Sequence, residues 1–453
     1  MRPRTLIAAT TALVAVLAAG CGGSGSRTQA PPAQAADRLQ AARDAAVRAA
    51  DGARPGGTLN LLGVLSGPQL DAYLGTFAPF EEATGIEIKY ESTGDVFAVL
   101  QTRIAGGNPP DAVSNPSAGQ VAQLAAQGRL VPLDPFLDMA AVRADYPEGL
   151  LDLSTVDGRL YGIFYNTAVQ GLVWYDPKTY QGPKPPASWD DLAGWARQTS
   201  AAGTTPWCIG LESGPTSGWP GAVWIEEFVL QQAGPEVFTK WWKGELPWTA
   251  PEIRQAFERF GAIATDAKQV SGGPTAVLTT DFNSSPQGLF ADPPACHLHV
   301  QADFLGNALA QTVPGVVPGT DIDFFPFPPV DPARAGSIEI SGETLALLRE
   351  SPQGRAFMRY VATPEFSALV AGTGQWIGAN RRTPPEAYPS TLSRRAAQVY
   401  ADARTVQYAA QNAMPLAMTQ AFHKAVLAYV DDPSTLDAQL AGLNRARAGA
   451  YRS

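Results

Sequence analysis

Between Thr58 and Gly128, short apolar runs alternate with helical periodicities, and glycine stops each helical stretch, at Gly85, at Gly106-Gly107 and at Gly128. Thr58 to Leu65 (TLNLLGVL) and Ile86 to Glu91 read as strands, with a third, short one at Ala112 to Ser114. The intervening helices carry Leu70, Tyr73, Leu74, Phe77 and Phe80 on one face, then Phe97, Leu100 and Ile104, and a last one covers 118–127. Strands alternating with helices of this length imply a mostly parallel sheet, an α/β fold. Such sheets hold ligands beyond the carboxyl ends of their strands. Ser66-Gly67, Ser92 and the run Ser114-Asn115-Pro116-Ser117 each lie just past a strand.

The chain before this region is of a different kind. Arg2 and Arg4 precede an apolar run from Leu6 to Ala19, too short to span a membrane, which reads as a secretory signal over residues 1–20. Cys21 follows small residues as in a bacterial lipobox, with Ala18 departing from the usual leucine, so Cys21 is expected to carry a lipid. Residues 21–56 are Gly/Ser-rich and then Ala/Arg/Asp-rich, with Leu39 and Val47 as the exceptions among small and polar side chains. They read as a flexible tether that cannot bury a core, with one weak Ala-rich helix between Ala35 and Asp51. Fully extended, the tether reaches roughly 115 Å.

The remaining body, about 400 residues, is too long for one simple core and fits two lobes. The whole chain's net charge of −9, without basic clusters, argues against nucleic acid or an anionic membrane surface as partner. Apart from Cys21 there are two cysteines, Cys208 and Cys296, and an even pair in an exported chain is expected to form a disulfide, with two buried thiols as the alternative.

Trp207 to Leu230 (WCIGLESGPTSGWPGAVWIEEFVL) feeds three tryptophans through a Gly/Pro-broken loop into a helix. Indole rings beside free backbone N–H groups make an apolar shelf suited to a pyranose, although any one tryptophan is as readily a core residue. Glu226 and Glu227 are adjacent on the helix, so one of them is expected to face solvent. His297 and His299 lie two apart and share a face if on a strand, a weak metal signal without a third ligand. The chain contains no G-x-x-x-x-G-K-[ST], G-x-S-x-G or H-E-x-x-H.

Several ordered segments resemble the extracellular solute-binding proteins of sugar ABC transporters: FEEATGIEI at 80–88, AGGNPPDAV at 105–113, LAAQGRLVPLD at 124–134, YGIFYN at 161–166, VWYD at 173–176 and PPASWDDL at 185–192. PWCIGLESG with GWP and WIEE, and SPQGLFADPPACHLH at 285–299, resemble the α-glucoside branch. The resemblance implies a two-lobed type II periplasmic-binding-protein fold with discontinuous lobes. Lobe one would span 57–165 and 323–373, and lobe two 168–320 and 375–453. The chain would cross first near Tyr165-Asn166 and return through Phe324 to Pro329, where prolines prevent a helix or central strand.

By position in the resemblance, lobe one would offer Ser66, Gln69, Asn115 and Ser117 to the ligand, and the hinge Asn166 and Gln170. Lobe two would offer Trp219, Trp224, Gln301, Asp303 and Trp376, with Glu343 on the returning segment. Amides and carboxylates pair with vicinal hydroxyls, and indole covers a ring face. The implied protein is a monomeric, lipid-anchored receptor for an oligosaccharide, without cofactor, metal or catalysis, that delivers its ligand to membrane permease subunits. A polyol or glycerophosphodiester is the alternative ligand, and Arg381-Arg382 near Trp376 keep a phosphate in view. A glycoside hydrolase using Glu212, Glu226, Asp303 or Glu343 is the rival of another class.

Overall fold

The structure, a computed structural model, describes residues 32–451; the signal segment and Cys21 lie outside the described residues. Helix α1 (Pro32–Ala49) comes first. Strands β1 (Gly57–Gly63), β2 (Ile86–Ser92) and β3 (Ala112–Asn115) then alternate with helices α2 (Gly67–Gly75), α3 (Ala78–Thr84), α4 (Val96–Ala105) and α5 (Ala118–Ala126), the single helix expected across Leu70 to Phe80 being broken into two at Thr76-Phe77. Gly85 ends α3 with φ 70°, a conformation that costs a side-chain-bearing residue but not glycine.

Beyond these lie β4 (Gly162–Phe164), β5 (Asn166–Val169), β6 (Leu172–Tyr175), α6 (Trp219–Ala233) and β7 (His299–Gln301). The chain then runs through β8 (Asp323–Phe325), β9 (Ser337–Ser341), β10 (Thr344–Leu347), α7 (Pro352–Val361), α8 (Pro364–Gly372), β11 (Ile377–Gly378) and β12 (Thr405–Tyr408).

Lobe one is built on a five-stranded sheet of order β2-β1-β3-β10-β4, with β1 parallel to β2 and β3, and β10 antiparallel to β3 and β4. Leu59, Leu61 and Ile86 face one core, whereas Leu62, Val113 and Ala346 face another beneath α4 and α5. That two-sided burial is what the continuous apolar runs encode. Lobe two carries an antiparallel sheet, β8-β6-β7, and an aromatic core around α6. Between the lobes lies a four-stranded sheet of order β11-β5-β9-β12. Cys208 and Cys296 are disulfide-bonded across a separation of 88 residues, with Cα atoms 5.5 Å apart.

The chain passes from the five-stranded sheet to the four-stranded sheet at Tyr165, between β4 and β5. The return differs from expectation. Phe324 and Phe325 stay in lobe two as strand β8, paired with Trp174 and Val173. The crossing occurs at Gly342-Glu343, between β9 and β10, so residues 323–336 leave the lobe-one range. An edge strand that ends before Pro326 satisfies the prolines without crossing anything. The two crossings touch: Tyr165 N donates to Glu343 O at 3.1 Å and Glu343 N to Asn166 Oδ1 at 2.8 Å. A β-carbon on Gly342 would stand 2.5 Å from the Asn166 carbonyl oxygen, so only glycine permits this approach.

The tether is the second correction. The Ala-rich helix forms, but it is docked. Ala42, Ala45, Ala46 and Ala49 recur at helical spacing and are buried against α3, α7 and α8. Arg43–Glu82 at 2.8 Å, Arg48–Glu365 at 2.7 Å and Asp51–Arg359 at 2.7 Å flank the contact. Large side chains are not needed when methyl groups let two helix backbones approach closely. A chain beginning at Gly57 is therefore expected to unfold at lower urea than one beginning at Pro32. Equal midpoints would show that α1 contributes nothing to lobe one.

Candidate functional site

Strand alternation divides the crossing sheet into two unlike faces. Pairing sets Ile340 opposite Val169, Ser341 opposite Ala168, Ile377 opposite Thr167 and Gly378 opposite Asn166. Asn166, Ala168, Gln170, Glu339, Ser341 and Trp376 therefore fall on one face, and Thr167, Val169, Ile340 and Ile377 on the other. Four of the residues singled out from sequence come together around the first face: Asn166, Gln170, Trp376 and, through its backbone bond to Val169 O at 3.1 Å, Asp303. Asp303 and Trp376 line the same small void of about 10 Å³.

Three of these four carry a sealed polar atom that makes no well-formed hydrogen bond within the protein: Asn166 Nδ2, which lies toward the Glu343 carboxyl, Gln170 Oε1 and Asp303 Oδ1. The opposite ends of the amides are engaged, Asn166 Oδ1 by Glu343 N and Gln170 Nε2 by Ser341 Oγ at 2.5 Å. Buried polar atoms are normally paired, and each exception has a cost that calls for a reason. Burial pushes the Asp303 carboxyl up to about 8, against the pull of nearby backbone N–H groups.

Glu343 sits at the crossing, accepting from Ser114 Oγ at 2.8 Å and Tyr165 Oη at 2.6 Å. Desolvation raises its carboxyl above the ordinary range, and these donors oppose the shift. Tyr165 stacks on Tyr73 with ring centroids 4.8 Å apart, and Tyr73 meets the edge of Trp376 at 6.3 Å. Sequence reasoning missed Tyr73, whose sealed hydroxyl also lacks a partner and whose helical spacing marks it only as a core position. It missed Tyr408 as well, whose hydroxyl donates to Pro116 O at 3.1 Å and Gly342 O at 2.9 Å and so clasps the two lobes.

The other candidates fall elsewhere. Ser66 is exposed and Gln69 half-buried at the start of α2, on the lobe-one rim. Asn115 turns inward to Gln120 at 3.1 Å and Ser117 N at 2.8 Å, and Ser117 caps α5 while donating to Asn412 O at 3.1 Å. Gln301 bonds the next backbone N–H, of Ala302, at 2.9 Å. Trp219 is half-buried, edge-on to Phe282 at 5.1 Å.

Trp224 is a correction. It is 2% exposed, ringed by Trp189, Trp207, Phe228, Phe260 and Phe327, and cannot meet a ligand. Trp207 is buried with it, because α6 is apolar nearly all round and lies inside lobe two. For the same reason neither Glu226 nor Glu227 faces solvent, as one of them was expected to do. His299 does not pair with His297: its Nδ1 meets Cys208 O at 2.9 Å and Ser285 Oγ at 3.3 Å, while His297 lies against Trp195. A cavity of about 980 Å³ opens on the sheet's other face, under Ile340, Ile377 and Tyr388, and none of the candidate residues lines it.

Two α/β lobes joined by crossing strands, with polar groups and indole gathered at the crossing, define a hinged solute-binding protein. Residues 65–367 match the family model of the bacterial extracellular solute-binding proteins. The chain is 33% identical over 375 residues to the osmoprotective compounds-binding protein GgtB of Synechocystis sp., covering 82% of this chain and 88% of that one. It is 32% identical over 374 residues to the alpha-glucosides-binding periplasmic protein AglE of Rhizobium meliloti, covering 80% of each. The solute receptor AcbH, described as preferring β-D-galactopyranose, superposes with a TM-score of 0.75 at 19% identity, over 88% of this chain and 100% of that one. The chain belongs to the bacterial extracellular solute-binding proteins. It is an exported binding protein and not an enzyme.

Trp224→Ala should destabilise the fold by about 3–5 kcal/mol, as removal of a buried ring does, whereas Trp219→Ala should cost clearly less. Urea unfolding of both variants checks the assignment, and equal losses would return Trp219 to the core.

Proposed function

We propose that this protein captures an oligosaccharide, with α-glucosides foremost, and hands it unaltered to the permease of an ABC importer. The observation that carries the reading is the set of sealed polar atoms without well-formed hydrogen bonds on one face of the crossing sheet beside Trp376. An amide N–H, an amide oxygen and a carboxyl held largely protonated near neutral pH offer one donor, one acceptor and one group that does both. Vicinal hydroxyls match that set, and the faces of Trp376 and Trp219 would cover the apolar side of a pyranose. Ser66, Gln69 and Ser117 would border the ligand from lobe one and close over it as the lobes swing. The likeness to the α-glucoside-binding relative supports the ligand class. The lipid on Cys21 would hold a monomer at the outer face of the cytoplasmic membrane.

A compact osmoprotective solute is the second reading, favoured by the 33% identity to a protein named for binding such compounds. A thermal-shift panel of residues 32–453 against maltose, trehalose, sucrose, longer α-glucosides, polyols and glycerophosphocholine separates the two. A true ligand at about 100 times its dissociation constant should add about 2.7 kcal/mol of stability. No shift with any α-glucoside, beside a clear one with a polyol, would move the assignment to the second reading.

Calorimetry then tests the shelf. Trp219→Ala and Trp376→Ala should each weaken binding by about 2 kcal/mol, close to 30-fold, as loss of a central aromatic anchor does. Unchanged affinity in both variants would remove the shelf from the site.

A further inference from the structure

Glu226 and Glu227 on α6 and Glu339 on β9 are buried together, at 0%, 1% and 0% exposure. The Glu339 carboxyl lies within hydrogen-bonding reach of Glu226, and no N–H or O–H donor of another residue type reaches either of its oxygens. Glu226 is better served, accepting from Gln411 N at 2.6 Å and Gln411 Nε2 at 3.2 Å. Glu227 accepts from Gln231 Nε2 at 3.3 Å and packs against Gly171, where a β-carbon would collide with it.

The groups facing this cluster are neutral. Gln411 Oε1 accepts from His423 Nε2 at 2.6 Å, and burial pushes that imidazole down to about 4. Gln170 and Gly171 approach from the turn after β5, and Gln407 is the register partner of Glu339 on β12. Asp331 and Arg334 pair with each other at 3.5 Å, at the Gly234 end of α6. Among the described residues, no lysine or arginine makes an ion pair with any of the three glutamates.

Two carboxyls in contact, one of them with no other donor, cannot both be ionised; a proton must lie between them. The location gives this a consequence. β9 is a crossing strand, and Glu339 O accepts from Gln170 N at 2.8 Å. The proton that binds Glu339 to Glu226 thus holds the hinge against lobe two and fixes the backbone of a cleft residue.

We infer that Glu226 and Glu339, with the Glu227 carboxyl buried beside them, form a proton-sharing latch across the hinge, so that lobe closure and solute affinity weaken as the medium becomes alkaline. The affinity half rests on the solute-capture reading above; the stability half does not. Desolvation holds Glu226 near about 7 and Glu227 near about 8, with Glu339 well above the carboxylate range, against about 4.3 for glutamate in an unfolded chain. Folded-state values raised in this way mean that the native chain binds the extra protons. The latch's contribution is complete below the unfolded value and is lost as pH rises through the folded ones.

The test is urea unfolding and solute calorimetry from about pH 5 to about pH 9 on wild type, Glu339→Gln and Glu226→Gln. In wild type the unfolding equilibrium constant should rise about tenfold per pH unit for each extra proton the native state holds, with affinity falling in the same range. Glu339→Gln supplies a permanent amide donor and should flatten both profiles. Profiles parallel to wild type in both variants would overturn the inference. If no solute on the panel binds, the unfolding profiles still decide the latch. If a solute binds with pH-independent affinity, the latch fails while solute capture stands. Should one variant not fold, difference infrared spectra of wild type against the other near neutral pH decide: a protonated-carboxyl stretch that the substitution removes supports the latch, and a stretch left unchanged, as Asp303 alone would give, refutes it.

Discussion

The contact between the two crossing segments is the constraint from which the rest of the architecture follows. Tyr165-Asn166 and Gly342-Glu343 run backbone against backbone, joined by two hydrogen bonds and made possible by the bare α-carbon of Gly342. Two lobes tied through so narrow a waist have few ways to move apart other than by bending at it. The waist also decides where polar groups gather. Backbone that leaves one sheet and enters another cannot satisfy all its groups by ladder bonds, so side chains must supply partners. Asn166 does this for Glu343, and Ser114 and Tyr165 do it for the Glu343 carboxyl.

The crossing sheet differs from its neighbours for the same reason. The lobe-one sheet is buried by apolar side chains on both faces and resists bending as one close-packed block. The crossing sheet is made of strands of two to five residues and has one polar face. Short strands with few interlocked side chains bend at low cost. The polar face in turn concentrates amides and carboxyls where the lobes meet. An acid pair there acts on that bending directly, since its charge state alters how firmly β9 sits on α6.

Much of this was legible in the chain, for reasons that can be located. The alternation of lobe one and its glycine stops are local signals, and they survive folding because each helix packs on the strand beside it. The first crossing was legible because Tyr165 and Asn166 stand inside an ordered motif. The return crossing was not. Prolines at 326, 328 and 329 declare where a central strand cannot be, which is a different statement from where the chain changes lobe. The docked α1 was missed because the criterion applied was size of side chain, whereas Ala42, Ala45, Ala46 and Ala49 bury by periodicity alone. Trp224 was misread because a helix hydrophobic on every side shows no preferred face in sequence, and only the surrounding rings reveal that it has no outside.

The candidate site shows where such reading must stop. Asn166 and Gln170 were legible as amides at a crossing, but their meaning depends on which end of each amide is taken. Glu343 and Ser341 occupy one end and leave Asn166 Nδ2 and Gln170 Oε1 without a well-formed hydrogen bond. A purely structural waist would be expected to pair both ends, since each unpaired buried group costs stability and gains the fold nothing. Selection for stability alone would replace such residues or supply them with partners. Retaining three sealed atoms on one face, next to a tryptophan, is the kind of local inconsistency that a functional surface imposes on an otherwise self-consistent fold.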